Sequence, residues 1–103
     1  MSEKIAEATD KDFQEKTEKG TVLVDFWATW CGPCRMQGEI LQGMVGKLPD
    51  NVRIVKVNVD EAGETAARFG VRSIPTLLVM KDGEKVQEFV GVQDEASLIK
   101  ALS

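Results

Sequence analysis

An α/β domain built on a mixed sheet with helices on both faces is the architecture this sequence predicts, and three observations carry the prediction. The chain has 103 residues, 43% of them apolar and 29% charged, the length and balance of one globular core. Its first half alternates strand-like and helix-like patterning, and crossovers of that length make consecutive strands parallel and right-handed. Its second half holds two apolar runs separated by Lys81-Asp82-Gly83-Glu84, where Asp-Gly is the strongest short hairpin signal. Residues 1–103 are read as a single domain with about five strands and about four helices.

The elements follow in order. Ile5-Ala6 is a short candidate edge strand. Thr9-Asp10-Lys11-Asp12 resembles a capping box, opening a polar helix that runs to Gly20 with Phe13 as its large apolar anchor. Thr21 to Trp27 is apolar on both alternating faces apart from Asp25, the pattern of a central strand covered on both sides. Ala28 to Gly32 turn, and a helix from Pro33 to Lys47 carries Met36, Ile40, Leu41, Met44, Val45 and Leu48 at spacings of three and four. Pro49-Asp50-Asn51 breaks it; Val52 to Val59 is again a strand, and a short helix to Phe69 stops at Gly70. Thr76 to Met80 and Lys85 to Val90 form the antiparallel hairpin. Asp94 caps a last helix with Leu98, Ile99 and Leu102 facing inward.

Composition narrows the chemistry. Thirteen Lys and Arg against 17 Asp and Glu leave a net charge of −4, which repels phosphate backbones and anionic lipid, so no nucleic acid or membrane partner is expected. There is no His, which removes Ser-His-Asp triads, Cys-His pairs and imidazole-ligated zinc. Two Cys are too few for a closed four-cysteine metal site or a secreted disulfide lattice, and no metal is expected. The N-terminal stretch from Met1 to Glu7 is charged and lacks a signal-peptide core, so a cytoplasmic location is expected, where a permanent structural disulfide is disfavoured.

What remains is Trp30-Cys31-Gly32-Pro33-Cys34-Arg35 at the carboxyl end of the central strand, where open α/β sheets hold their sites. Pro33 near the first helical position puts Cys31 at a helix N-terminus, whose free N–H groups and dipole favour thiolate over thiol. Cys31 is therefore the expected nucleophile and Cys34, one turn in and shielded, the resolving thiol. The spacing is compatible with a disulfide that opens and closes without moving the fold. Half of a metal site completed by a second subunit, or an idle buried pair, is the competing reading of a bare Cys-x-x-Cys. Asp25 is the other singular residue. A carboxylate in a central strand has no solvent and its pKa should rise, unless it sits at a strand end and reaches water.

These residues resemble the thioredoxin family, and the likeness extends over nearly the full length. Val24-Asp25-Phe26-Trp27-Ala28, Val57-Asn58-Val59-Asp60, Ile74-Pro75-Thr76, Lys81-Asp82-Gly83 and Val90-Gly91 match family segments in the same order. The resemblance implies the thioredoxin fold, reduction of disulfides in protein substrates, no bound cofactor, and recharging by a thioredoxin reductase that draws on NADPH. It implies a monomer. It also implies that Asp25 moves a proton to or from the resolving thiol, that Lys56 lies near Asp25 and tunes it, and that Pro75 is cis beside the thiols. Taken alone, Ile74-Pro75 marks only an extended or turn dipeptide. By the same likeness Trp30, Gly32, Pro33, Ile74, Pro75, Val90 and Gly91 form a shallow groove for an extended peptide, while Trp27 reads as core. An oxidase or isomerase is compatible with the same motif, since direction depends on potential and compartment; a scaffold or metal-bridged binding module is the non-enzymatic alternative.

Three positions depart from the family pattern. Glu39 stands where a helix-kinking proline is usual, in a helix that also contains Gly38, Gly43 and Gly46, each of which softens it. Ser73 replaces a common glycine before Ile74, and Arg35 replaces the more frequent lysine while keeping its charge.

Overall fold

The computed structural model describes residues 4–103; Met1, Ser2 and Glu3, part of the charged N-terminal stretch, lie outside the described residues. Five strands form one sheet: β1 (Ile5–Ala8), β2 (Thr21–Trp27), β3 (Val52–Asn58), β4 (Thr76–Lys81) and β5 (Glu84–Val90). Their spatial order is β1-β3-β2-β4-β5. β1 and β2 both run parallel to β3, whereas β4 is antiparallel to β2 and β5 to β4. The sheet is mixed as expected, and β2 lies at its centre between β3 and β4.

Four helices cover it: α1 (Phe13–Thr17), α2 (Gly32–Met44), α3 (Gly63–Arg68) and α4 (Glu95–Leu102). Strand alternation sorts the core into two layers. Val22, Val24 and Phe26 of β2 pack with Phe13 of α1 and Ala66 of α3 on one face. Leu23 of β2 packs with Leu41 and Met44 of α2 and Leu98 and Leu102 of α4 on the other. Asp25 has the parity of Leu23, so it points toward the face that α2 and α4 cover.

Several boundaries differ from the sequence expectation. α1 is one short helix rather than a run from Thr9 to Gly20. One half of the expected capping box is present, the Thr9 N–H donating to Asp12 Oδ1 at 2.7 Å, while the Thr9 hydroxyl accepts the Lys11 N–H at 3.3 Å and the Phe13 N–H donates to the Thr9 carbonyl at 3.0 Å. They tighten a turn ahead of the helix, and the polar residues after Thr17 have no apolar partner to extend it. The edge strand β5 is mostly exposed; Val86 and Val90 are 56% and 59% accessible, and Phe89 packs against the cluster that holds Leu98 and Leu102 of α4. The hairpin between β4 and β5 is the tight turn that Asp-Gly predicts, with Asp82 at φ 50° and Gly83 at φ 87°, a pair of left-handed residues that matches the strand twist.

The largest correction concerns α2. Its inward residues are Cys34, Gln37, Leu41 and Met44, at steps of three and four from Cys34, whereas Met36 is 57% exposed. Two residues past Cys34 is about 200° of helical rotation, which turns Met36 away from the sheet once Cys34 is inside. The helix ends in a 3-10 turn at Val45–Lys47. Gly43 has nothing within 4 Å of where a Cβ would stand. A Gly43→Ala variant is therefore expected to gain about 0.5–1 kcal/mol, because alanine fits the helix and has less unfolded-state freedom to lose; the shift of the urea midpoint at constant slope measures it.

Candidate active site at the start of the second helix

The two cysteines meet where β2 hands over to α2. Cys31 is the N-cap of α2 with extended backbone angles, Pro33 lies in the first turn, and the Cys34 N–H donates to Cys31 Sγ at 3.1 Å. A sulfur here satisfies one of the free amide donors of the helix start, as a serine or aspartate does at other helices. Cys31 and Cys34 form a disulfide with Cα atoms 5.2 Å apart. In it Cys31 is 7% and Cys34 3% exposed, so the nucleophile candidate is more covered than its place in the sequence suggests. Ala28 completes this small apolar cluster, with Trp27, Val59 and Ile74 packed against it.

Around the disulfide the chain assembles the expected groove residues from three loops. Trp30 is 70% exposed, and its indole N–H donates to Asp60 Oδ2 at 2.8 Å. The Ile74–Pro75 peptide bond is cis, and the Ile74 carbonyl oxygen lies 3.8 Å from Cys31 Sγ. Gly91 has φ +90° and donates its N–H to the Pro75 carbonyl at 2.8 Å, a conformation and approach that favour glycine. Val90 is exposed beside it; Gly32 and Pro33 are exposed on the cysteine turn. Asp60 is a site residue that the sequence reading misses, although its signal is local: Asn58 Oδ1 accepts the Asp60 N–H at 2.9 Å, an Asx turn at the end of β3 that aims the carboxylate at Trp30.

Two residues before Trp27 on β2, Asp25 has no accessible surface, and neither carboxylate oxygen has a hydrogen-bond partner. Burial raises its pKa from 3.8 to about 7; the nearby Lys56 charge opposes that rise and Glu7 adds to it. The sheet register explains both influences, since Lys56 of β3 stands beside Asp25 of β2 and Glu7 of β1 stands beside Lys56. The Lys56 ammonium sits 4.6 Å from the centre of the Trp27 ring and borders Gly38 of α2, where a Cβ would stand in ordinary contact at 3.6 Å from Nζ. Trp27 is half-buried rather than fully core, and its indole N–H is covered without an acceptor. An open cleft of about 290 Å³ runs past Trp27, Cys31, Cys34, Arg35, Gly38 and Lys56. Glu39 and Ser73, two of the departures from the family pattern, are exposed.

Among the described residues no group of three or more Cys, Asp or Glu is placed to hold a metal ion, and no helix is long and apolar enough to cross a membrane.

Comparison with known proteins agrees with this arrangement. A family model described as Thioredoxin matches residues 4–103. The thioredoxin of Bacillus subtilis is 50% identical over 94 residues, covering 91% of this chain and 90% of that one. The thioredoxin of Listeria monocytogenes is 46% identical over 99 residues, 96% of each chain. Among solved structures, a mutant thioredoxin from Halobacterium salinarum superposes with a TM-score of 0.86 at 33% identity, covering 96% of this chain and 88% of that one. With its Cys-x-x-Cys disulfide at the head of α2 and a match running through every strand and helix, the chain belongs to the thioredoxin family of thiol-disulfide oxidoreductases.

Proposed function

We propose that the protein works as a single domain that reduces disulfides in protein substrates, and that it is recharged by a thioredoxin reductase drawing electrons from NADPH in a cytoplasmic, reducing compartment. The observation that carries this reading is Cys31 Sγ seated on the Cys34 N–H at the N-terminus of α2, beside the exposed Trp30 indole and the cis Ile74–Pro75 peptide. In the reduced protein, that N–H and the helix dipole favour a thiolate on Cys31. The thiolate attacks one sulfur of a substrate disulfide, forming the Cys31 mixed disulfide and releasing one substrate thiolate, which takes a proton from water. Cys34 then gives up its proton to the Asp25 carboxylate, directly or through water, and attacks Cys31 Sγ. The second substrate thiolate leaves, and the Cys31–Cys34 disulfide closes. Two electrons have passed from the dithiol to the substrate.

Asp25 suits the middle step because a base poised near neutrality both accepts and returns a proton readily. Lys56 would tune it by favouring the carboxylate form. Trp30, Gly32, Pro33, Ile74, Pro75, Val90 and Gly91 would grip an extended substrate segment, largely through its backbone, which suits a broad range of targets. The protein needs no bound cofactor or metal for this cycle; NADPH acts only through the reductase.

The deciding measurement is the reduction potential of the Cys31–Cys34 pair, by equilibration in dithiothreitol or glutathione buffers. A value below about −220 mV, more reducing than extracted cytosolic glutathione, is expected. A value near about −120 mV would make the protein an oxidant of folding chains and overturn both direction and compartment.

A further inference from the structure

Gln37 is the polar residue that the amphipathic pattern of α2 does not explain. It lies one turn beyond Cys34, has no accessible surface, and occupies the inward stripe with Leu41 and Met44. Burying a side-chain amide is costly unless both of its ends are paired, and here both are. Gln37 Oε1 accepts the Gln93 N–H at 2.7 Å, and Gln37 Nε2 donates to the Gln93 carbonyl at 3.1 Å. A single side chain thus takes both backbone groups of one loop residue, as a neighbouring strand would.

The loop it holds is the connection between β5, which ends at Val90, and α4, which begins at Glu95. Gln93 Nε2 donates to the Gly91 carbonyl at 3.2 Å, and the Gly91 N–H donates to the Pro75 carbonyl at 2.8 Å. The Ile74 carbonyl next to it lies 3.8 Å from Cys31 Sγ. A chain of short contacts therefore leaves α2 at Gln37, passes through Gln93, Gly91 and Pro75, and returns to the disulfide at the head of the same helix. It encloses the groove.

We propose that Gln37 is a positioning residue that fixes the Gly91 wall of the groove relative to Cys31, and that it accelerates exchange with protein disulfides without accelerating exchange with small ones. The proposal rests on the reductase reading above. An extended substrate must lie against Val90, Gly91 and Ile74 while its sulfur lines up with Cys31 Sγ, so a displaced wall misaligns the reacting atoms. A small disulfide needs only the sulfur. An apolar residue at 37 would fill the same space without holding the loop at one place along the helix.

The test compares two second-order rate constants for oxidation of the pre-reduced protein, one by insulin and one by the small aromatic disulfide DTNB. In Gln37→Met, which keeps the volume and loses both hydrogen bonds, the insulin rate constant is expected to fall about fivefold to tenfold while the DTNB rate constant stays within about twofold. Amide exchange at Gly91 and Gln93 should quicken in the same variant. Gln93→Ala removes only the brace to Gly91, at a half-buried position, and is expected to lower the insulin rate constant about twofold to threefold, again without effect on DTNB. If the methionine variant does not fold, Gln37→Leu, which also loses both hydrogen bonds to the Gln93 backbone, is put through the same comparison with the same result expected. Parallel loss of both rate constants, or an unchanged insulin rate constant, overturns the proposal. A parent protein that reacts with neither disulfide overturns the reductase reading instead.

Discussion

Replacing Cys31 by serine is expected to lower disulfide reduction at least about a thousandfold, to the level of the dithiothreitol used as reductant alone. The Cys34 N–H that rests on Cys31 Sγ favours a sulfur anion once the pair is reduced, whereas a serine hydroxyl stays protonated and makes no exchangeable bond to sulfur. The only other cysteine in the chain is Cys34; it is one turn inside α2 and 3% exposed, so it does not take over the first attack. Cys34→Ser should behave differently. It still attacks, but the mixed disulfide has no internal thiol to resolve it, and a covalent complex with the substrate accumulates on a non-reducing gel. Insulin reduction for the first variant and gel shift for the second read the two roles separately. Sustained turnover in Cys31→Ser would overturn the dithiol mechanism, since one cysteine cannot both attack and resolve, and a trapped complex in Cys31→Ser with none in Cys34→Ser would exchange the roles assigned here.

The placement of the pair on which those proposed roles rest is legible in the amino-acid sequence because it is set by local chemistry: a strand end, a proline in the first turn and two sulfurs three residues apart. The same locality makes the order of strands and helices legible. The Asp82-Gly83 turn and the Asp94 cap, whose Oδ1 accepts the Ser97 N–H at 2.8 Å, are decided by a few neighbouring residues. What the sequence hides depends on distant partners. Met36 is as apolar as Met44, and only the inward placement of Cys34 turns it outward. Gln37 carries no local sign of burial because its partner, Gln93, is 56 positions away. The exposure of β5 follows from its edge position, which no alternation of residues reveals, and α1 is short because nothing after Thr17 offers an apolar surface to bury. Asp25 lies between these cases. Its burial can be read from the strand pattern, but the row that tunes it, Glu7, Lys56 and Asp25 side by side, emerges only from the register of three strands.

That row sets up the other large effect. Asp25→Asn is expected to stabilise the oxidised protein by about 4 kcal/mol at pH 8 and by close to nothing near pH 4. The wild-type carboxyl titrates at 3.8 when exposed in the unfolded chain and at about 7 in the fold. Below 3.8 both states carry the proton, and the side chain costs the fold only its unpaired polar atoms. Asparagine, equally buried and equally unpartnered, carries a similar penalty, so the two proteins start level. As pH rises past 3.8 the unfolded chain releases its proton while the folded one keeps it. Folding then requires proton uptake, and wild-type stability falls by about 1.4 kcal/mol per pH unit until the folded group ionises near 7. Beyond that the loss is complete, and Lys56 limits it by favouring the carboxylate. Urea unfolding of the oxidised forms across pH 4 to 8 measures the widening gap. A constant gap would mean that Asp25 does not titrate differently in the two states, and a gap of opposite sign would mean that its charge is paired in the fold. The gain in stability should come with slower resolution of the mixed disulfide, because asparagine accepts no proton from Cys34. On the proposed mechanism, the carboxyl whose burial weakens the fold as pH rises is also the one that takes the proton from Cys34 in the second half of the exchange.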